Sequence, residues 1–132
     1  MESEPVRLTK RWFREVWEEG NAKTIDELAP AMKLHGLQSD PLDAAAFKEF
    51  HRKFLAAFSE IRVELKECFG DDERSAFVMV FHARHTGDGL GIPATSRRVS
   101  VLGIGTARFQ NGKVVEAYNQ FDEAGMMRQL GQ

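Results

Sequence analysis

Cysteine is nearly missing from this chain: Cys68 stands alone among 132 residues. That excludes an internal disulfide and a cysteine-rich metal site. With no activating partner nearby in sequence, the thiol reads as packing. Clustered positive charge is missing too. Net charge is -2 and Arg97-Arg98 is only a pair, which argues against nucleic acid binding. No apolar run approaches the roughly 20 residues of a membrane span. The opening MESEPVRLTK has no apolar stretch, so no signal peptide is visible, and a cytoplasmic location is the default expectation. The four histidines, at 35, 51, 82 and 85, lack a tight ligand spacing, so no metal site is expected. No G-x-S-x-G, P-loop or dinucleotide fingerprint occurs, and Gly103-x-Gly105 alone is too weak to count as one. Internal repeats, linkers and low-complexity segments are absent as well, so residues 1–132 read as a single domain.

What the chain has is aromatic weight. Ten Phe and two Trp, within 42% hydrophobic residues, are enough for a real core. Pro5–Glu19 reads as a helix, with Pro5 in its first turn and Gly20-Asn21 as its stop. Leu8, Trp12, Phe13, Val16 and Trp17 fall on one buried face. Thr24-x-x-Glu27 resembles a capping box opening a short helix, Ile25–Leu28, which Pro30 stops. Residues 31–40 look like a loop carrying His35. Asp43 caps a third predicted helix, Ala44–Ser59, with a stripe of Phe47, Phe50, Phe54, Leu55 and Phe58 and with His51 at the stripe's edge.

From Ile61 the period changes to two. Ile61, Val63 and Leu65 alternate with charged residues, and Gly70-Asp71-Asp72 forms a turn. Ser75–His85 is a longer strand. Phe77, Met79, Phe81, Ala83 and His85 share one face; His82 and Arg84 lie on the other, at an interface or the surface. A Gly- and Pro-containing loop follows, then two strands folded about Asn111-Gly112, the strongest hairpin signal present. Asp122 is expected to cap a last short helix, Glu123–Leu130. Helices followed by antiparallel strands give an α+β domain. A curved sheet wrapped over three N-terminal helices would bury both sets of apolar residues and leave a hollow suited to a small molecule.

The hairpin register decides what lines that hollow. A two-residue turn puts Asn119 on the face of Ile104, Thr106 and Arg108. A type I turn over Gln110-Asn111-Gly112 with a glycine bulge shifts the pairing by one. Asn119 then joins Gly103, Gly105 and Ala107, beside Val115, Ala117 and Phe121. The second is favoured, because it gathers small residues where a ligand needs room; the same glycines would also let the sheet curve. The predicted pocket takes Trp17, Phe54 and Phe58 from the helical side. Phe81, Gly103, Gly105, Ala117 and Phe121 come from the sheet. The opposite face, with Leu102, Ile104 and Tyr118, is too apolar for bare solvent and suggests a homodimer.

Several motifs together resemble one family. Trp12-Phe13, Glu15-Val16-Trp17, Gly20-Asn21, Leu28-Ala29-Pro30 and His35 form its opening. Arg84-His85-Thr86-Gly87, Leu90-Gly91-Ile92-Pro93, Thr95 and Arg97-Arg98 are the most specific part. Asn111-Gly112-Lys113, Val115-Glu116, Phe121-Asp122-Glu123 and Arg128-Gln129-Leu130-Gly131 complete it. The chain resembles the SnoaL-like polyketide cyclases of the nuclear transport factor 2-like superfamily. The resemblance implies a cone-shaped α+β barrel, usually dimeric, with a pocket inside and no metal or organic cofactor. In the family's cyclases an acidic residue on the last strand works as general acid/base in an intramolecular aldol closure. That position falls on Asn119, and its companion histidine on Gly105. An amide cannot take a proton at neutral pH, and losing such a group costs about 10²–10⁴-fold in rate. His35 and His85 are the remaining candidates for acid–base work.

Two functional readings follow. One is a cofactor-free cyclase or isomerase acting on a small apolar carbonyl compound through Asn119, His35 and His85. The other is a ligand-binding or accessory protein without catalysis. Epoxide-hydrolase or ketosteroid-isomerase chemistry ranks behind both, since each needs carboxylates in the pocket.

Overall fold

Helix α1, Glu4–Trp12, starts where the Ser3 hydroxyl accepts the Val6 N–H and Pro5 fills the first turn. The computed structural model describes residues 2–132. The helix runs on into a π-helical turn, Phe13–Glu18, so the predicted Pro5–Glu19 helix widens in its second half. Gly20, at φ +67°, ends it. His51 on the third helix donates its Nε2–H to the Val16 carbonyl at 2.6 Å. His51 is therefore buried at 2% exposure, not at the edge of its stripe as expected.

Helix α2, Lys23–Leu28, forms without the capping box. The Thr24 hydroxyl donates to Glu15 at 2.7 Å, and Glu27 accepts from Arg11 at 2.8 Å. Both residues answer to the neighbouring helix, and the Asn21 side chain accepts the Lys23 N–H instead. Residues 33–35, expected in a loop, form strand β1, Lys33–His35, parallel to the last strand of the sheet. Three residues are too few to show a period of two, and the pairing partner lies some eighty residues away. Helix α3, Ala44–Ala57, is capped by Asp43, which accepts the Ala46 N–H at 2.8 Å.

The remaining strands are β2 (Phe58–Gly70), β3 (Arg74–His85), β4 (Arg98–Gln110) and β5 (Lys113–Phe121). The sheet order is β1-β5-β4-β3-β2, antiparallel except at β1. Register shifts in β2 and at Arg108/Phe109 bend the sheet, as bulges do. The result is an α+β domain with a curved, unclosed sheet wrapped over the helices. Helix α4, Glu123–Gln129, is capped by Asp122 as expected. The core fills the concave side, where Trp17 meets Phe47, Phe54 and Phe81 edge to face.

The hairpin corrects one detail. Asn111 and Gly112 both have positive φ, +54° and +75°, and Gln110 pairs with Lys113. The turn is thus the two-residue type with left-handed residues at both centres, not a three-residue turn with a glycine bulge. The one-residue shift arises farther along, where Val115 is extra: Arg108 pairs with Glu116 but Phe109 with Val114. Val114, not Val115, is the buried one. The favoured face is still the observed one, since Asn119 pairs directly with Gly105.

Candidate functional site

The bent sheet and the helices shape a hollow of about 70 Å³ that is open to solvent. Helices contribute Trp17, Phe47, Phe50 and Phe54; strands contribute Phe77, Met79, Phe81 and Phe121. Among the described lining residues, Asn119 and Gln120 alone carry polar side-chain groups other than the Trp17 indole, and no titratable group is among them. The Gln120 amide donates to the Gly36 carbonyl at 3.2 Å, tying β5 to the turn after β1. Asn119 is left as the free polar handle. Its amide oxygen is buried and has no hydrogen-bond partner.

The local sequence explains that exposure to the hollow. Asn119 stands opposite Gly105, and its Oδ1 lies where a side chain at 105 would begin: a Cβ there would sit 2.4 Å from it. The bare glycine gives the amide its place. A buried amide oxygen without a partner is costly, by about 1–3 kcal/mol. A ligand hydroxyl would relieve that cost.

The other predicted residues divide. Trp17, Phe54, Phe81, Gly103 and Phe121 line the hollow with Asn119. Phe58 does not; it packs against Phe54, Phe81 and His85. Gly105 lies beneath Asn119, and Ala117 lines a second hollow behind it. His85 turns inward as its strand phase requires, but it is fully buried away from the hollow. Its Nδ1 accepts from the Thr95 hydroxyl and backbone N–H, at 3.0 and 3.2 Å. His35 sits on the outer face instead of at the mouth. Its ring stacks on Tyr118 at 4.5 Å, and its Nε2–H donates to Glu116 at 2.9 Å. That bond holds the Glu116 carboxyl below the usual carboxylate range. The structure brings neither histidine to Asn119. Parallel pairing of β1 with β5 fixes His35 beside Tyr118 and so on the wrong side.

Sequence reasoning missed Phe13, Phe77, Met79 and Leu37 as lining residues. Phe77 and Met79 share a strand face with Phe81, so alternation alone could have found them. Leu37 follows an unanticipated strand and left no local signal. Among the described residues no three His, Cys, Asp or Glu side chains converge as a metal would require.

Comparison with known proteins gives concordant results. A family model described as SnoaL-like polyketide cyclase matches residues 7–130. The nogalonic acid methyl ester cyclase of Streptomyces nogalater is 34% identical over 109 residues, 80% of this chain and 78% of that protein. A crystallised protein of Acidithiobacillus ferrooxidans, assigned as a polyketide cyclase, superposes with TM-score 0.82 at 26% identity over 98% of this chain and 96% of its own. AclR of Streptomyces galilaeus, assigned as a hydroxylase, reaches TM-score 0.84 at 22% identity over 95% and 93%, a likeness of fold.

Proposed function

The chain belongs to the SnoaL-like polyketide cyclase family, and from that premise we propose that its hollow takes a mostly apolar polyketide carbonyl compound whose oxygens meet the Asn119 amide. The single observation carrying this reading is the unpartnered Asn119 oxygen in an aromatic hollow. An amide offers two N–H donors and an acceptor side by side. An enolised β-keto ester offers the complement, a carbonyl oxygen and an enol O–H. A polyketide methyl ester, of the kind the Streptomyces nogalater relative is named for, is the substrate class we assign.

In an aldol closure the carbon beside one carbonyl gives up a proton and attacks a second carbonyl, whose oxygen then gains a proton. With no titratable side chain among the described lining residues, water entering the open hollow would take the first proton and supply the second. Asn119 would favour the enol and fix the chain for attack without itself taking the proton. The chemistry is then cofactor-free and of cyclase or isomerase type, slower by the about 10²–10⁴-fold that a positioned base contributes. A second reading is a binding or accessory protein, favoured by the lack of a titratable group among the described lining residues. Cys68, free and half-buried, fits a cytoplasmic setting, and the apolar outer face fits a homodimer; both belong to the same reading.

The test compares the parent with Asn119→Ala and Asn119→Asp on an aromatic polyketide methyl ester. Binding by the parent, weakened about tenfold or more in Asn119→Ala, supports the assignment of the amide. A carboxylate in this apolar place would have a raised pKa and serve as a base, so Asn119→Asp should close the ring about 10²-fold faster or more. Closure by Asn119→Asp with none by the parent selects the accessory reading. Equal binding by the parent and Asn119→Ala would overturn the role of residue 119.

A further inference from the structure

A second hollow lies behind the first, toward the end of the sheet that carries the hairpin turn. Leu28, Met32 and Leu34 wall it on one side; Ala107, Phe109 and Val114 wall it on the other. Three residues line both hollows: Phe13, Phe77 and Asn119. They make the partition between them. The Phe13 and Phe77 rings meet edge to face at 4.9 Å, and Phe13 opens the π-helical turn.

The inner hollow measures about 40 Å³, room for about three water molecules or a short piece of hydrocarbon chain. Its one hydroxyl is already engaged. Thr9 donates to the Pro5 carbonyl at 2.8 Å and is 2.7 Å from Ser75 Oγ, which donates to it. The remaining polar side-chain groups of the lining are the Trp12 indole N–H and the Asn119 amide, which borders both hollows. Ala107 and Ala117, paired directly across β4 and β5, keep the space open. Such a chamber suits an unbranched hydrocarbon and offers nothing to a charged group.

We propose that the inner hollow is a subsite for a short unbranched alkyl substituent of the ligand, admitted when the Phe13 and Phe77 rings part, while Asn119 holds the ligand's oxygens. The proposal rests on the functional reading above and adds to it the shape of the ligand: an oxygenated aromatic head with a saturated arm beyond it.

The probes are hydroxyanthraquinones with no side chain and with unbranched side chains from methyl to hexyl. Binding is followed by quenching of tryptophan fluorescence. Affinity should rise roughly fourfold per added methylene over about the first two or three carbons and then level off. In Ala107→Met, which fills the chamber, the parent probe should bind as before and the rise should disappear. Because that variant could misfold, a second measurement locates the arm in the unaltered protein. An ω-bromoalkyl probe, read by anomalous diffraction, should place its bromine between Leu28 and Phe109. If the unsubstituted probe binds but affinity stays flat along the series, or the bromine lies at the mouth, the subsite is overturned and the functional reading stands. If no member binds, both fall.

Discussion

Replacing Gly105 by alanine tests the packing that gives Asn119 its position. A Cβ at 105 would lie 2.4 Å from Asn119 Oδ1, 2.4 Å from the Tyr118 carbonyl oxygen and 2.6 Å from Phe77 Cζ. All three are closer than real contacts allow, and the Tyr118 oxygen is backbone, so a rotamer change cannot clear them all. Forcing a methyl group into such a place costs about 1–3 kcal/mol. Unfolding entropy near 2.1 cal/mol/K per residue over 132 residues is about 0.28 kcal/mol/K, so Tm should fall by about 4–11 °C. Gly103 is the internal control. A Cβ there first meets the flexible Met79 Sδ at 3.1 Å, and Gly103→Ala should stay within about 2 °C of the parent. Adding Asn119→Ala to Gly105→Ala should recover part of the loss, because it removes one of the three contacts. Thermal unfolding followed by circular dichroism reads all four proteins. A Gly105→Ala protein as stable as Gly103→Ala would refute the reasoning.

His51 predicts an acid limb. Burial lowers its pKa below the usual 6.5, against the opposing bond to the Val16 carbonyl. The neutral ring is the folded form, so its contribution is full above pH 6.5 and is lost progressively as pH falls from there to the lower folded value. Denaturant unfolding across that range should show a shallower pH dependence in His51→Gln, which keeps a donor for Val16 but does not titrate; an unchanged slope contradicts this. On the outer face Leu102, Ile104 and Tyr118 are 52%, 51% and 54% exposed. Light scattering should give a dimer mass, and Ile104→Asp should give a monomer with the parent's circular-dichroism spectrum and an unfolding midpoint that no longer depends on protein concentration. A parent of monomer mass would remove the dimer.

Legibility followed the range of the interaction. Asp43, Asp122 and the Asn111-Gly112 turn act over two or three residues; the two caps and the place of the turn are readable from the sequence, whereas the favoured three-residue type of that turn is not the one observed. The face of Asn119 is readable too, since alternation along β5 and the small residues of β4 point to the same side. The bulge lies at Val115 and not in the turn, and it shifts the pairing the other way; the face of Asn119 is the same because a shift of one residue in either direction selects the same side of a strand. Thr24 misled because its hydroxyl has a long-range acceptor, Glu15, that no local motif announces. His35 and His85 misled in a like way. Strand β1 was too short to see, so nothing tied His35 to Tyr118, and Thr95, which holds His85, comes from the following loop. Family likeness also marked Asn119 and Gly105 without saying that they pair directly, and that is what makes the amide's place physically intelligible.

The most direct measurement is a crystal structure of the protein soaked with an aromatic polyketide methyl ester. The account predicts the ester's head among Trp17, Phe54 and Phe81, with a carbonyl or enol oxygen within about 3 Å of the Asn119 amide. A ligand seated elsewhere, or held in the hollow with its oxygens turned away from residue 119, would contradict it.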